Sequence, residues 1–418
     1  MNNRRNFLKI LGTGFAAASA NPIIAGVSKM KAPSRPLKVG VLTPQSNICP
    51  EYPYSFMNGF RMGIDQNKAL QKQHIELVNE PNGFGTPFIS KQNAQKLLYE
   101  NGVDLMVGLI GNEVVGQFDD LFMKKEVPFI VCNSGEHFPV QKLRENPFVF
   151  FNTLNLYQSA YQTGQLASTK YGKRGFVITS LYDSGYDTLF AFLQGAESSG
   201  GKVEETLVMK VNETDNVTKA ISRIKEVAPD YIYILLSGDQ ANDFIIQYHN
   251  GNNDLPVLCS PFVTEGANLP KLGKFAGGMT SISPWDKTTD NRENSEFCKT
   301  YLGTYRSEPD MFAVLGFETG LMIYQALANA AGNYSGKGLC QSLTNVHLRS
   351  PRGEFSVDEV TGWTKAPLYH LQIDQQLLNS LPTPRIAEKL ESVEATHADF
   401  AILDNEYRTG WLNPYLFV

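Results

Sequence analysis

Apolar positions along this chain fall into short continuous runs, separated by stretches with helical spacing. The clearest unit spans 102–136, GVDLMVGLIGNEVVGQFDDLFMKKEVPFIVCNSGE. Residues 103–109 are apolar apart from Asp104 and predict a buried strand. A small-residue turn follows at Gly111-Asn112. Val114, Val115, Phe118, Leu121 and Phe122 then recur at helical spacing, and residues 127–132 predict a second strand ending at Asn133-Ser134-Gly135. Strand–helix–strand units of this kind build parallel sheets. In an open parallel sheet, ligands bind beyond the carboxyl ends of the strands. The two loops there, 110–113 and 133–136, offer small residues and backbone N–H groups at the start of a helix. That suits a carboxylate or another negatively polarised group, although the same loops read equally as ordinary turns.

The alternation extends in both directions. Residues 37–42 (LKVGVL) predict the first strand, with 43–46 as its carboxyl-end loop. A loop containing Tyr52 and Tyr54 leads into a helix over 55–69 that presents Phe56, Phe60 and Ile64 on one face. A strand at 74–79 and a helix at 90–101 complete this half, and 148–153 reads as a crossing because the pattern restarts after it. The second half predicts strands at 174–179, 202–210, 231–236 and 256–259, with helices at 160–171, 188–199, 217–227 and 241–250 between them. The loops after its strands are LYDSGYD, Ser237-Gly238-Asp239-Gln240 and Ser260-Pro261-Phe262. Residues 277–285 and 348–355 read as two further crossings around helices at 293–305 and 312–331, and 368–373 predicts a late strand. The tail after Leu378 is less regular and ends in the apolar stretch GWLNPYLFV. The expectation is an α/β protein of two lobes, each a parallel sheet flanked by helices.

Composition adds limits. A hydrophobic fraction of 42% and a charged fraction of 19% suit a globular chain, and a net charge of −5 without a basic stripe argues against nucleic acid as a partner. The N-terminus predicts export: Arg4, Arg5 and Lys9 precede a short apolar run at 10–20, and Ala18-Ser19-Ala20 fits a cleavage site. The stretch NRRNFLK resembles a twin-arginine signal, with Asn where Ser or Thr is usual. No other segment has the ~20 apolar residues of a membrane-spanning helix, so an integral membrane protein is not expected. No Cys near the cleavage site predicts a lipid anchor. The five Cys leave at least one unpaired within the chain, and spacing does not reveal any pairing.

Enzyme signatures are missing or misplaced. Gly12–Ala17 matches a dinucleotide fingerprint but lies in the export signal and follows no strand. The segment 195–202 approaches a phosphate-binding loop, but it is one residue too long and Val203 stands where Ser or Thr is required. The six His are scattered with no HExxH, and no GxSxG turn occurs. The sequence predicts neither cofactor nor metal, and no enzyme activity.

The stretches KVGVLTP, NGFRMGID, NGVDLMVG, KKEVPFIVCNS, LYDSGYD, DYIYILLSGDQA, FETGLMIYQALANAAG and SPRGEFSVDEVTGWTKAPLYHLQI occur in an order that resembles the type I periplasmic solute-binding proteins of the leucine/isoleucine/valine-binding family, over about residues 37–375. The resemblance implies two lobes joined by three crossings, a ligand held between them, and closure by a hinge motion. It implies a signal peptide at 1–31, a first lobe of 37–150 plus 284–350, a second of 151–283 plus 351–375, and an extension at 376–418. The implied ligand contacts are Gly111, Asn112, Cys132, Asn133 and Ser134 for the head group, with Tyr54 near the cleft. Tyr186, Asp239 and Phe262 would close from the second lobe. Many family members carry Ser where Gly111 or Asn112 stands here and a Ser/Thr pair where Asn133-Ser134 stands. Backbone donors survive such changes and head-group hydroxyls do not, so an α-amino acid is not the expected ligand by default. Tyr52, Tyr54, Tyr182, Tyr186 and Phe262 could stack on an aromatic or apolar ligand. The implied function is an extracytoplasmic, periplasmic protein that delivers a small amino-acid-like or related organic ligand to an ABC transporter permease. The alternatives are a sensor of the same fold that signals to a regulator or receptor, and an enzyme with an unrecognised site.

Overall fold

The computed structural model describes residues 35–46, 49–65, 74–136, 145–183, 187–210, 216–265, 268–374 and 382–391. The export signal at 1–31, Tyr186 and the closing stretch GWLNPYLFV lie outside the described residues.

The chain builds two sheets in succession. The first contains β1 (Leu37–Thr43), β2 (Ile75–Pro81), β3 (Leu105–Leu109), β4 (Phe129–Asn133) and β5 (Val149–Thr153), in the order β2-β1-β3-β4-β5 with every neighbouring pair parallel. β3, β4 and β5 are buried along their whole length, as their unbroken apolar runs require of strands covered on both faces. Helices α1 (Glu51–Asp65), α2 (Pro87–Gln95), α3 (Asn112–Val115) and α4 (Asp120–Lys125) connect them. The chain then leaves for the second sheet through α5 (Leu156–Lys170), β6 (Arg174–Ser180), α6 (Asp187–Ser198), β7 (Lys202–Met209), α7 (Asn216–Val227), β8 (Tyr231–Leu235), α8 (Gly238–Asn250), β9 (Val257–Cys259), α9 (Pro261–Thr264), α10 (Leu269–Leu272) and β10 (Thr280–Ser283). It returns to the first lobe with α11 (Arg292–Tyr305), α12 (Met311–Asn329) and α13 (Gly336–Thr344). A small antiparallel sheet of β11 (His347–Ser350), β12 (Gly353–Val357) and β13 (Thr364–Lys365) follows. Finally β14 (Leu368–Asp374) and β15 (Thr383–Leu390) join the second sheet, whose order is β15-β14-β10-β9-β8-β6-β7. That sheet is parallel from β7 to β10 and antiparallel at β14 and β15.

The structure corrects several sequence expectations. The segments read as crossings are largely ordered strands: 148–153 supplies β5, 277–285 supplies β10, and 348–355 spans the β11–β12 hairpin. The changes of sheet fall just after β5 and β10, and again between β13 and β14. The single helix expected after Gly111 is two, α3 and α4, because the intervening turn closes with i→i−3 bonds such as Phe118 N to Val115 O at 2.9 Å, and the Asn146 amide donates to Asp119 O at 2.8 Å. Within the tail, β15 pairs with β14 over its whole length, including Pro384 opposite Ile373. An exposed, charged edge strand with a Pro is how sheets blunt their edges, and it carries no apolar signature.

Each lobe contains a helix pair at backbone contact. A Cβ added to Gly59 would lie 1.9 Å from Ala313 O, and one on Gly316 would lie 1.9 Å from Phe56 O. The glycines of the NGFRMGID and GFETG stretches thus let α1 and α12 touch directly. In the second lobe Gly164 and Gly195 do the same for α5 and α6, with added Cβ atoms 2.2 Å from Phe192 O and 1.9 Å from Tyr161 O. By length and composition α12 could span a membrane, but 78% of its apolar window is buried, which is the state of a core helix.

Candidate functional site

The carboxyl ends of β3 and β4 form one rim. Ile110 N donates to Cys132 O at 2.9 Å, so the two strands end level. Gly111 precedes α3 in extended conformation, φ −71° and ψ 149°. Asn112 is fully buried, and its groups are already engaged: its N–H donates to Glu136 Oε2 at 2.9 Å, its Nδ2 to Glu136 O at 2.6 Å, and its Oδ1 accepts from Asn133 Nδ2 at 2.8 Å. Asn133 Oδ1 accepts from Gly135 N at 2.9 Å. Ser134 is buried and its carbonyl accepts from Leu156 N at 2.8 Å, which ties the rim to the first change of sheet. Gly135 has φ +102°, and a Cβ there would lie 2.7 Å from Asn155 N, so this turn requires glycine.

The facing rim comes from the second sheet. After β6, Ser180 Oγ donates to Asp183 Oδ2 at 2.6 Å, and Ser237 Oγ, after β8, donates to Asp183 Oδ1 at 3.0 Å. Burial pushes the Asp183 carboxyl up to about 6 against those hydrogen bonds. After β9, Glu265 accepts from Met311 N, the first residue of α12, at 2.7 Å. Asp310 caps the same helix, accepting from Ala313 N at 2.8 Å. One carboxylate from each lobe therefore sits at the start of α12. Burial, then the nearby Asp310, pushes Glu265 well above the usual carboxylate range, and burial raises Asp310 to about 6. The Cys49 thiol is pushed up to about 12 by burial and by Glu51, Asp183 and Glu265 around it. This seam between the rims is acidic.

Aromatic contact joins the lobes at the same place. Tyr52 of α1 stacks on Phe312 at 4.5 Å between centroids and meets Phe262 of α9 at 6.0 Å. Phe262 and Tyr182 both pack against the core of the first lobe.

The expected contacts are therefore unevenly placed. Gly111, Asn112, Asn133 and Ser134 share one rim, and Phe262 meets the seam. Cys132 stands behind the rim: it is fully buried, its Sγ lies 3.3 Å from Thr319 Oγ1, and burial lifts its thiol to about 12. Its side chain packs against α12 behind the rim. Tyr54 is 74% exposed and lines an outer groove of about 590 Å³ with Thr43–Ser46, while Tyr52 takes the seam. The Asp239 side chain is 88% exposed and pairs with Lys271 at 3.5 Å. Tyr186 lies outside the described residues. The roles of Glu136, Asp183 and Glu265 carry no local sequence signal, because each has a partner far along the chain: Asn112, Ser237 and Met311. The five Cys are free thiols. Among the described residues no group of His, Cys, Asp and Glu is placed to hold a metal ion.

Residues 36–377 match the profile of the family described as periplasmic binding protein. No curated protein matches the chain. Among solved structures, an ABC transporter substrate-binding protein from Sphaerobacter thermophilus superposes with a TM-score of 0.77 at 20% identity, over 86% of this chain and 98% of that one. A solute-binding protein of an ABC transporter from Rhodopseudomonas palustris, in complex with 3,4-dihydroxybenzoic acid, gives 0.73 at 21% identity, over 86% and 98%. An amino acid ABC transporter substrate-binding protein from Pseudomonas fluorescens gives 0.72 at 16% identity, over 87% and 97%. At these identities the likeness is one of fold.

Proposed function

The chain belongs to the periplasmic binding protein family, and from that premise we propose that it is an extracytoplasmic solute-binding protein that captures a small amino-acid-like or related organic ligand between its two lobes and delivers it to an ABC importer. The observation that carries this reading is the seam itself. The carboxyl-end loops of two separate parallel sheets meet there, and Tyr52 of one lobe faces Phe262 of the other. Parallel sheets bind ligands at those ends, and a site divided between lobes binds by closing.

In this reading residues 37–150 with 284–350 form one lobe, and 151–283 with 351–375 the other. Gly111, Asn112, Asn133, Ser134 and Phe262 border the ligand, and Tyr186 and Asp239 approach it on closure. The neighbours bound to an aromatic acid and named for amino acids bracket the ligand as a small organic molecule. The protein performs no turnover. It reaches the periplasm through the twin-arginine route, on the strength of Arg4-Arg5 ahead of Phe7-Leu8-Lys9.

A thermal-shift screen against amino acids, amides, amines, aromatic acids and small peptides tests the reading. A ligand at a hundredfold over its Kd stabilises the protein by roughly 2.7 kcal/mol. Small-angle scattering with that ligand should show a smaller radius of gyration. A broad screen without a single stabilising compound would defeat the solute-binding reading.

A further inference from the structure

At the start of α12 a side chain of one lobe is fastened to the backbone of the other. Glu265 belongs to the second lobe. Its carbonyl accepts from Asn268 N at 2.9 Å and from Leu269 N at 3.2 Å, and Thr264 Oγ1 beside it shares a hydrogen bond with Ser281 Oγ of β10 at 2.7 Å. Its carboxyl crosses the seam and accepts from Met311 N in the first lobe at 2.7 Å. Three residues earlier, Phe262 meets Tyr52, which itself stacks on Phe312 next to Met311. The end of α9 therefore rests on the first turn of α12 and on α1.

The first N–H groups of a helix need acceptors from outside it. Met311 N–H finds Glu265, and Ala313 N–H finds Asp310 at 2.8 Å. Two carboxyls, one from each lobe, thus share one helix start, and two negative charges there repel where water is scarce. The groups around them do not relieve this. Asp286 and Glu51 also act on Glu265, and Glu51 acts on Asp310, which accepts from the Ser55 hydroxyl. Burial keeps the Tyr52 hydroxyl and the Cys49 thiol in their neutral forms. Lys287 lines the same cavity as Glu265 but pairs with Glu308 at 3.8 Å. A protonated Glu265 suits this place, and an ionised one beside Asp310 does not.

We propose that Glu265 is a proton-dependent latch between the lobes: protonated, it holds the second lobe on the first turn of α12, and its ionisation releases that lobe. The inference rests on the reading of the seam as a site that closes, and goes beyond it to what governs closure of the chain without ligand. Burial, then Asp310, raises Glu265 in the closed form. Opening returns it to water and toward the ordinary value of about 4.3. Between those two values the closed form holds a proton that the open form has released. The closed-to-open ratio is therefore greatest at low pH, and it falls by up to about tenfold per pH unit as pH rises through that window.

The test is small-angle scattering coupled to size exclusion, on the full mature chain without ligand, from pH 5 to pH 9. The radius of gyration of the parent rises with pH. Glu265→Gln is neutral at every pH and keeps an oxygen for Met311 N–H, so it stays compact throughout. Glu265→Ala has no latch, so across the series it is at least as expanded as the parent at pH 9. Asp183→Asn, at the other buried carboxyl of the seam, expands with pH as the parent does. Circular dichroism checks each fold, and either Glu265 variant alone decides if the other does not fold. A Glu265→Gln chain that expands as far as the parent, or a Glu265→Ala chain as compact as the parent at pH 5, overturns the latch. A parent whose radius ignores pH but shrinks with the screened ligand overturns the latch alone. A parent that responds to neither overturns the closing site as well.

Discussion

Arg352 and Glu318 form an ion pair with both side chains at 0% exposure, the guanidinium Nε lying 3.0 and 2.9 Å from the two carboxylate oxygens. Arg352 also donates from Nη1 to Thr153 O at 2.9 Å, and its carbonyl accepts from the Tyr369 hydroxyl at 2.6 Å. Thr153 ends β5 of the first sheet and Tyr369 lies in β14 of the second. One residue from the SPRGEF stretch therefore links α12 to both sheets, through its side chain to Glu318 and Thr153 and through its backbone carbonyl to Tyr369.

Removing one partner of this pair leaves the other buried and uncompensated. Arg352→Met and Glu318→Gln should each destabilise the protein by about 3–5 kcal/mol. Urea unfolding measures this. Joint replacement by Met and Leu should cost less than the two single changes added together, because no lone charge remains. Additive losses would mean that the two residues act independently.

A second prediction concerns the glycine contacts. Gly316→Ala places a Cβ 1.9 Å from the Phe56 carbonyl, and backbone cannot move as a flexible side chain can. Overpacking of this kind costs roughly 1–3 kcal/mol or more, as α12 is forced away from α1. Gly303 is the control: it lies within α11 and an added Cβ meets nothing within 4 Å. Gly303→Ala should stabilise by roughly 0.5–1 kcal/mol through helix propensity. Thermal unfolding of the two variants should move in opposite directions; a shared direction would mean that the close approach of α1 and α12 does not govern stability.

These contacts show what could be read from the sequence and what could not. The β3–β4 unit was legible because continuous apolar runs dictate buried strands. Its two carboxyl-end loops were legible for the same reason. The occupant of the donors was not, because Glu136 after Asn-Ser-Gly looks like an ordinary loop residue until the fold returns it to Asn112. The sequence does not separate Tyr52 from Tyr54, because α1 begins at Glu51, four residues before the apolar period declares itself. Two positions along a helix lie on nearly opposite faces, so one tyrosine reaches the seam and the other faces solvent. The strand β15 was missed because it buries little and so has no apolar pattern to read.

The pH dependence has a definite sign. Burial raises the Asp183 carboxyl to about 6 from an ordinary value near 3.9. Between those values the folded protein holds a proton that the unfolded chain has released. Stability from this group is therefore full below pH ~4 and is lost as pH rises to about 6, by on the order of 3 kcal/mol. Urea midpoints of the parent and Asp183→Asn from pH 4 to 7 check this. The parent should lose stability relative to the variant across that window and run parallel to it above. Parallel curves throughout would show that Asp183 does not titrate there.

The last prediction divides binding between the two lobes. The first-lobe rim is rigid: Asn112, Asn133, Gly135 and Glu136 are joined by hydrogen bonds of 2.6–2.9 Å, and Leu156 N is fastened to Ser134 O. It should capture ligand without rearrangement. Phe262 arrives with α9 from the other lobe and closes against Tyr52 at 6.0 Å, so it should act after capture. A buried aromatic contact of this size contributes on the order of 1–3 kcal/mol. Phe262→Ala should then weaken the ligand identified by screening about tenfold to a hundredfold, almost entirely through a faster off-rate. Stopped-flow kinetics separates the two rates, and the mutation lies away from the capturing rim, so the on-rate is an internal control. A slowed on-rate with an unchanged off-rate would place Phe262 in capture rather than closure. Unchanged rates in a folded variant would remove it from the ligand path and leave its contact with Tyr52 as packing alone.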